Sequence, residues 1–277
     1  MILPGLHHGM KIGLIGCGRM GGALIEGAIK TGVVEAQNVL LHSKSTESAT
    51  NLAEKCDAAV ATDNSHVIRE CGLVLLGCKP YQVLDILTEI GSELPGDTVI
   101  VSVAAGVTLA RMESSSPEGT RIIRAMPNTP SLIGLGATGI AKGKNATEKD
   151  LAAAHKLLSS VSTVIETSES QLDAVTGLSG SGPAYVYTFI EELAAQAEKE
   201  GLSANDALIL ATQTVIGAAR MVESSPMSPS ELTNQVTSPG GTTLAGLKAL
   251  TDHGFESSIA AGVHAATERS REIAAES

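Results

Sequence analysis

The sequence predicts an α/β fold with a mostly parallel sheet and helices on both faces, followed by an all-helical domain. Between residues 10 and 168, short runs rich in β-branched residues alternate with helical patterns, and this alternation is typical of βαβ units. After residue 168 the strand patterns stop, and helical patterns continue to the C-terminus. We therefore predict two domains, 10–168 and 169–277, preceded by a flexible extension over residues 1–9.

Eight short apolar runs are the predicted strands of the first domain. They are Lys11–Ile15, Val39–His42, Ala58–Ala61, Leu73–Gly77, Thr98–Val103, Arg121–Met126, Gly136–Ala141 and Thr163–Glu166. The predicted helices of the second domain are Ala184–Glu200, Ala204–Glu223, Glu231–Val236, Thr242–Leu250 and Glu256–Ala275. Several of these helices are rich in Ala and Gly on all sides, and a helix without a clear polar face is expected to be buried. A domain of this size offers little interior for so much apolar surface, so we predict a homodimer in which helices of two subunits interleave.

A glycine-rich turn follows the first predicted strand. The segment Gly16-Cys-Gly-Arg-Met-Gly21 lies between that strand and a helical pattern, which is the context that a dinucleotide-binding GxGxxG motif requires. Gly16 would form the tight turn, Gly18 would admit a pyrophosphate, and Gly21 would allow the helix to pack closely on the strand. The alternative is a tight turn that binds nothing. The motif predicts a Rossmann-like dinucleotide-binding domain.

The end of the second predicted strand bears on the choice of cofactor. Folds that prefer NAD usually place Asp or Glu there to hold the ribose 2′-hydroxyl. This chain has Leu40-Leu-His-Ser-Lys-Ser45 instead, with no acid at the end of the strand. His42, Ser43, Lys44 and Ser45 could hold a 2′-phosphate, so we predict NADPH as the cofactor, with NADH as the other option. The alternative is an ordinary polar turn that accepts both.

A second glycine turn interrupts the helical half. It is Val236-Thr-Ser-Pro-Gly-Gly-Thr-Thr243. The two glycines let the backbone turn at low steric cost, and Pro239 fixes the approach. Such a turn directs backbone N–H groups and hydroxyls to one point beside the positive end of a helix, where a carboxylate binds well. The alternative is a plain loop between helices with a Thr cap.

Composition and charge exclude several function classes. The net charge of −11 argues against nucleic-acid and anionic-membrane partners, because phosphate contacts require clustered Lys and Arg. No apolar run approaches the roughly 18 residues of a membrane-spanning helix, and the first residues lack the apolar core of a signal peptide. The four cysteines form no CxxC pair and the histidines form no HExxH motif, so no metal site is expected. We predict a cytoplasmic protein with reduced thiols.

Taken together, the motifs resemble those of the pyrroline-5-carboxylate reductase family. They are Gly16-Cys-Gly-Arg-Met20, Cys78-Lys-Pro80, Ala104-Ala-Gly106, Met126-Pro-Asn-Thr129, the run from Gln171 to Tyr185 (QLDAVTGLSGSGPAY) and Val236–Thr243, in that order. The resemblance covers residues 10 to 270. It implies reduction of the cyclic imine 1-pyrroline-5-carboxylate to L-proline by hydride from NADPH or NADH, the last step of proline biosynthesis. It also implies a dimer formed by the helical domain and, in many members, a larger ring of dimers.

The resemblance also implies roles for individual residues. The implied cofactor contacts are Gly16, Cys17, Gly18, Arg19 and Met20 at the pyrophosphate, Ser43 near the 2′-phosphate, Asn64 at the ribose, and Cys78, Lys79, Ala105, Asn128 and Gln235 elsewhere. The implied substrate contacts are Glu169, Ser238, Gly240, Gly241, Thr242 and Thr243. Thr243 is the one candidate catalytic residue, because its hydroxyl could hydrogen-bond the imine nitrogen. Its alternative role is to cap the following helix.

Two other functions are alternatives to this one. A β-hydroxyacid-type dehydrogenase shares the plan of a Rossmann-like domain followed by helices, but it needs a Lys near the middle of its long interdomain helix. The run Ala184–Glu198 contains no Lys, which argues against that class. A non-catalytic dinucleotide-binding redox sensor would leave the carboxylate-binding turn without a purpose.

Overall fold

The structure, a computed structural model, describes residues 10–276 and contains one eight-stranded sheet. The strands are β1 (Ile12–Ile15), β2 (Val39–His42), β3 (Ala59–Val60), β4 (Leu73–Leu76), β5 (Val99–Ser102), β6 (Arg121–Met126), β7 (Gly136–Lys142) and β8 (Ser162–Glu166). Their order in the sheet is β3-β2-β1-β4-β5-β6-β7-β8. All neighbouring strands are parallel except β6 and β7, which pair antiparallel. The predicted fold class is confirmed, and the predicted extension over residues 1–9 lies outside the described residues.

Twelve α-helices accompany the sheet in the described part of the chain. They are α1 (Arg19–Lys30), α2 (Thr46–Cys56), α3 (Asn64–Glu70), α4 (Val83–Ile90), α5 (Leu109–Ser114), α6 (Glu148–Leu158), α7 (Leu172–Val175), α8 (Gly182–Lys199), α9 (Ala204–Ser224), α10 (Pro229–Gln235), α11 (Thr242–Asp252) and α12 (Phe255–Glu276). None of the described helices is both long enough and apolar enough to cross a membrane.

The central strands are apolar because both faces of the sheet are covered. All four residues of β4 are buried. Leu73 and Leu75 pack into one core cluster, whereas Val74 and Leu76 pack into another. Successive side chains of a strand point to opposite faces, so the two clusters are the cores on the two sides of the sheet. A continuous apolar run is the pattern of such a doubly covered parallel strand.

The described chain divides into two compact units. The first, here called the sheet unit, runs to Ser181 and resumes at Ala265; the second, the helical unit, is Gly182–His264. Residues 169–181 belong with the sheet because Leu172 is fully buried in one of its cores. The Ser270 hydroxyl also donates a 2.7 Å hydrogen bond to the Asp173 carboxylate. The domain boundary predicted at residue 168 stays a prediction.

The predicted helices of the second half correspond to α8 to α12, with ends that differ by up to two residues. The start of α10 shows why the observed ends differ from the predicted ones. Ser228 caps this helix by accepting from the Glu231 N–H, and the Glu231 carboxylate accepts from the Ser228 N–H. This capping box brings Pro229 into the first helical position, where its missing N–H costs nothing.

Candidate active site

A cavity of about 790 Å³ lies at the carboxyl ends of β1, β2, β4 and β5. This is where ligands bind in open parallel sheets, beside the strand at which the strand order reverses. Ten of the predicted cofactor residues line this cavity. They are Gly16, Cys17, Gly18, Arg19, Met20, Ser43, Asn64, Cys78, Lys79 and Ala105.

The first glycine of the motif is fixed by its surroundings. Gly16 has φ +96°, and a Cβ added there would lie 2.5 Å from the backbone nitrogen of Cys78. Its N–H donates to the carbonyl of His42 at 2.8 Å, which ties the turn to the end of β2. At Gly18 the nearest atom to an added Cβ is 3.7 Å away. The turn is therefore closely packed at Gly16 and open enough for a ligand to approach at Gly18.

The N-terminus of α1 faces this cavity with free donors. Gly18 is the N-cap and makes no side-chain cap, and the first turn contains no acidic residue. Gly22 is the first residue of the helix whose N–H is bonded, to the Gly18 carbonyl at 2.8 Å. In the described structure nothing accepts from the N–H groups of Arg19 and Met20. Free N–H groups and the positive helix end favour an anion, so these residues fit the pyrophosphate of a dinucleotide.

Three of the polar side chains that line the cavity are hydrogen-bonded in a row. His42 Nδ1 lies 2.7 Å from Asn64 Oδ1. Asn64 Nδ2 in turn donates to both carboxylate oxygens of Glu89, at 3.2 and 3.1 Å. Glu89 and Asp85 of α4 line the cavity but were not among the predicted site residues. Their spacing of four residues places them on one helical face, although the sequence does not show which face meets the cavity.

Two thiols in the cavity are held neutral. Burial raises the pKa of Cys17 to about 11 and that of Cys78 to about 11. Because the thiolate is the reactive form of cysteine, both side chains act as small fillers at neutral pH. Within the described residues, no group of His, Cys, Asp and Glu is arranged to hold a metal ion.

The second predicted turn, Val236–Thr243, lies in the helical unit, and its residues Ser238–Gly241 form a β-turn. The Gly241 N–H donates to the Ser238 carbonyl at 3.0 Å, and Gly240 has φ +72°. Proline at the second position and a positive φ at the third are the features of a type II β-turn. A Cβ added at Gly241 would lie 2.4 Å from Ser238 Oγ, so the serine hydroxyl is held over the glycine.

This turn leads directly into α11, whose N-terminus also carries free donors. The N-cap is Gly241, without a side-chain cap, and the first turn has no acidic residue. The first bonded N–H is that of Ala245, which donates to the Gly241 carbonyl at 3.3 Å. The N–H groups of Thr242 and Thr243 have no acceptor in the described structure. Because Gly241 is the N-cap, neither threonine has the capping role that the sequence left open.

Three further predicted site residues lie outside the residues that line the cavity. The Asn128 amide donates to the Ser179 carbonyl at 3.0 Å and accepts from the Ala137 N–H at 2.8 Å. Glu169 accepts from the Leu109 N–H at 2.6 Å and pairs with the buried Arg124 at 3.0 Å. Gln235 ends α10 in the helical unit, where its Nε2 lies 3.1 Å from the Met227 sulfur. Their predicted ligand contacts stay predictions.

Two family models match the chain. The pyrroline-5-carboxylate reductase dimerisation model matches residues 169–273, and a model described as NADP oxidoreductase, coenzyme F420-dependent, matches residues 11–106. A pyrroline-5-carboxylate reductase of Methanosarcina acetivorans is 42% identical to this chain, over 95% of this chain and 97% of its own. The chain belongs to the pyrroline-5-carboxylate reductase family. The family predicted from the sequence is confirmed.

Solved pyrroline-5-carboxylate reductase structures agree with this membership. The Coxiella burnetii enzyme has a TM-score of 0.91 at 33% identity, covering 95% of this chain and 98% of its own. The Plasmodium falciparum enzyme, solved with NADP bound, has a TM-score of 0.84 at 29% identity, covering 96% of this chain and 98% of its own. The predicted class of NAD(P)H-dependent oxidoreductase is confirmed by membership of this reductase family.

Proposed function

We propose that this chain reduces the C=N bond of 1-pyrroline-5-carboxylate to give L-proline, with NADPH as the preferred reductant and NADH as the other option. The observation that carries the proposal is the 42% identity to a curated pyrroline-5-carboxylate reductase over 95% of the chain. When bound, the nicotinamide cofactor supplies the hydride. The protein supplies binding sites, orientation and exclusion of water.

The cofactor roles follow from the cavity. Gly16 to Met20 would hold the pyrophosphate, since their turn offers free N–H groups and space for a ligand. Ser43 would lie near the 2′-phosphate, with the charges of Arg19 and Lys44 in the same cavity. The residues proposed for the ribose and the remainder of the cofactor are Asn64, Cys78, Lys79, Ala105, Asn128 and Gln235.

The substrate carboxylate would bind the turn that leads into α11. Ser238 would offer its hydroxyl, and Thr242 and Thr243 would offer N–H groups that have no acceptor in the described structure. Gly240 and Gly241 would let the carboxylate approach this backbone. The absence of an acid from the first turn of α11 leaves the positive helix end uncompensated, which favours an anion. Glu169 is the further residue proposed near the imino acid.

Thr243 is the proposed catalytic residue. Its hydroxyl would hydrogen-bond the imine nitrogen and orient the C=N bond toward the nicotinamide. Alignment of the two reacting groups would supply most of the acceleration. A threonine hydroxyl is a poor acid, so we assign the proton to water or to prior protonation of the imine.

Residues 10–168 are proposed as the cofactor-binding domain, and residues 169–277 as the domain that binds substrate and dimerises. The dimerisation model of the family matches nearly all of the second range. A higher ring of dimers is proposed from the family resemblance. A cytoplasmic location likewise stays a proposal from sequence.

Turnover of the expected substrate tests this function directly. The protein is mixed with NADPH and 1-pyrroline-5-carboxylate, and absorbance is followed at the nicotinamide band. We expect oxidation of NADPH with formation of L-proline, and a higher kcat/KM with NADPH than with NADH. Absence of turnover would overturn the function, whereas a tenfold preference for NADH would overturn only the cofactor preference.

A further inference from the structure

The last residue of β2 occupies the position that decides cofactor choice in this type of fold. An Asp or Glu at this point accepts a hydrogen bond from the ribose 2′-hydroxyl of NAD. In this chain the residue is His42, which ends β2 and lines the cavity. An imidazole can either accept or donate a hydrogen bond at a given ring nitrogen, depending on its protonation.

The neighbours of His42 fix which ring nitrogen carries a hydrogen. A carboxylate accepts hydrogen bonds, and Glu89 on α4 accepts two from the Asn64 side chain. The amide nitrogen of Asn64 therefore points toward α4. The Asn64 oxygen then faces His42 Nδ1, at 2.7 Å. Because that oxygen can only accept, Nδ1 must carry the hydrogen. In neutral His42 the other nitrogen, Nε2, is therefore an acceptor, and no described residue pairs with it.

The charged and titratable groups that line the cavity with this imidazole lie on several of the bordering elements. They are Cys17 and Arg19 at the start of α1, Lys44 after β2, Cys78 and Lys79 after β4, and Asp85 and Glu89 on α4. Both thiols are held neutral by burial. Glu89 is linked to the imidazole through Asn64 alone, so a positive charge on His42 would have a carboxylate behind it and a cofactor phosphate in front.

We propose that His42 is the specificity-determining residue for the 2′-position of the cofactor, and that its protonation sets the preference for NADPH over NADH. The inference rests on the proposed use of these cofactors. Neutral His42 presents a lone pair at Nε2, which suits a 2′-hydroxyl and repels the oxygens of a 2′-phosphate. Protonated His42 presents a charged N–H donor, which binds the phosphate strongly. The preference for the phosphorylated cofactor therefore falls as pH rises.

The binding of cofactor fragments tests this without turnover. We would measure calorimetrically the Kd of the full-length protein for 2′,5′-ADP, which carries the 2′-phosphate, and for 5′-AMP, which lacks it. Between pH 6.5 and pH 8.5 the affinity for 2′,5′-ADP should fall about fivefold more than that for 5′-AMP, because a protonated imidazole donates to the 2′-phosphate and a neutral one presents a lone pair to it. An equal pH response of the two ligands would overturn the proposal.

Two variants and a control assign the effect to His42. His42→Gln removes the titrating ring, so the difference between the ligands should become independent of pH. Glu89→Gln leaves the ring but removes the carboxylate behind it, and should shrink the fivefold effect toward unity. His66→Gln is the matched control, because His66 lies on the neighbouring α3 but does not line the cavity. An undiminished pH effect in His42→Gln, or its loss in His66→Gln, would contradict the assignment.

If His42→Gln fails to fold, Glu89→Gln alone decides, with an unchanged pH effect counting against the proposal. The outcome is also separate from that of the proposed function. A chain that binds 2′,5′-ADP with this pH dependence but leaves pyrroline-5-carboxylate unreduced keeps the inference and loses the reaction. A chain that reduces pyrroline-5-carboxylate but shows the same pH response for both ligands keeps the reaction and loses the inference.

Discussion

The sheet unit and the helical unit bury their apolar side chains to very different extents. In the sheet unit, Leu14, Leu75 and Ile100 are fully buried. In the helical unit the buried residues are Ala207 and Ala211, whereas Ile209 is 57% exposed. Burial of apolar surface is what offsets the entropy lost on folding. The sheet unit achieves this within one chain, and the helical unit leaves much of its apolar surface to be covered by a second copy, as the dimerisation model over residues 169–273 indicates.

The two glycine turns repeat this contrast on a smaller scale. At Gly16 an added Cβ would meet the backbone of the neighbouring loop, so the turn is defined by packing within the unit. At Gly240 an added Cβ would meet nothing within 4 Å, so only the left-handed backbone conformation requires glycine there. The first turn is therefore held in place by contacts within one chain. The second is open on its outer side, where substrate is proposed to bind.

The largest expected effect comes from placing a charge on the exposed apolar surface of the helical unit. Ile209→Asp should weaken the dimer at least about a hundredfold, because a charge buried without a partner costs several kcal/mol. Sedimentation at micromolar concentration measures the change. Tyr81→Asp is the matched control, since Tyr81 is 80% exposed but lies in the sheet unit. An Ile209→Asp protein that stays dimeric would show that Ile209 is not part of the dimer interface.

The next effect is a loss of cofactor affinity without a loss of stability, produced by a substitution in the first turn. Gly18→Ala should weaken NADPH binding by roughly a hundredfold, because its methyl group would occupy the approach of the pyrophosphate. Its Tm should stay close to that of the parent, since the added Cβ has no protein atom within 3.4 Å.

Gly22→Ala serves as the control for this variant. It adds a methyl group to the same helix in ordinary contact with Leu52, at 3.5 Å, and it should leave NADPH binding unchanged. Fluorescence titration and thermal melting give the two quantities. A Gly18→Ala protein that loses stability and affinity together would instead mean that the turn itself had been distorted.

A smaller effect is expected from the proposed catalytic hydroxyl. Thr243→Ala should lower kcat/KM about tenfold to a hundredfold, the scale of one lost hydrogen bond to a charged group, with NADPH affinity unchanged. Thr242→Ala should lower it less than about threefold, because only the N–H of that residue is proposed to contact substrate. Steady-state kinetics of the two variants decides, and equal losses would remove Thr243 from the mechanism.

The smallest effect is a loss of folding stability at alkaline pH. We expect it to arise in the sheet unit, because all four cysteines lie there. Burial raises the pKa of Cys71 to about 12 from an ordinary value of 9.0. Above pH 9 the unfolded thiol ionises while the folded one stays protonated, so stability falls as pH rises from 9 toward 12.

Urea unfolding between pH 8.5 and 10.5 measures this loss, and the midpoint should fall by roughly 0.5 M. Cys71→Ala should make the pH dependence less steep, and the partly buried Cys17 and Cys78 should account for the rest of it. Val67→Ala, at a fully buried neighbouring position, should lower stability equally at every pH. If the two variants keep the same slope, Cys71 does not contribute to it.

The fold and much of the cofactor cavity could be predicted from sequence because their patterns are local. The run Lys11–Ile15 followed by glycines predicts a strand and a turn without knowledge of the rest of the chain, and β1 forms there. Contacts between residues far apart in the sequence could not be predicted in this way. Nothing near Glu169 indicated that Arg124, 45 residues away, would be its partner, and nothing near Asn128 indicated its bond to Ser179. Glu89 was missed because the rotation of α4 depends on packing against the sheet.

A crystal structure of the protein with NADPH and L-proline tests the central claim most directly. We predict that the proline carboxylate accepts from the N–H groups of Thr242 and Thr243. The C–N bond of proline should lie about 3–3.5 Å from the nicotinamide ring, with the pyrophosphate on the turn that begins at Gly16. A structure in which no protomer of the assembly brings these two turns to one ligand would contradict the account.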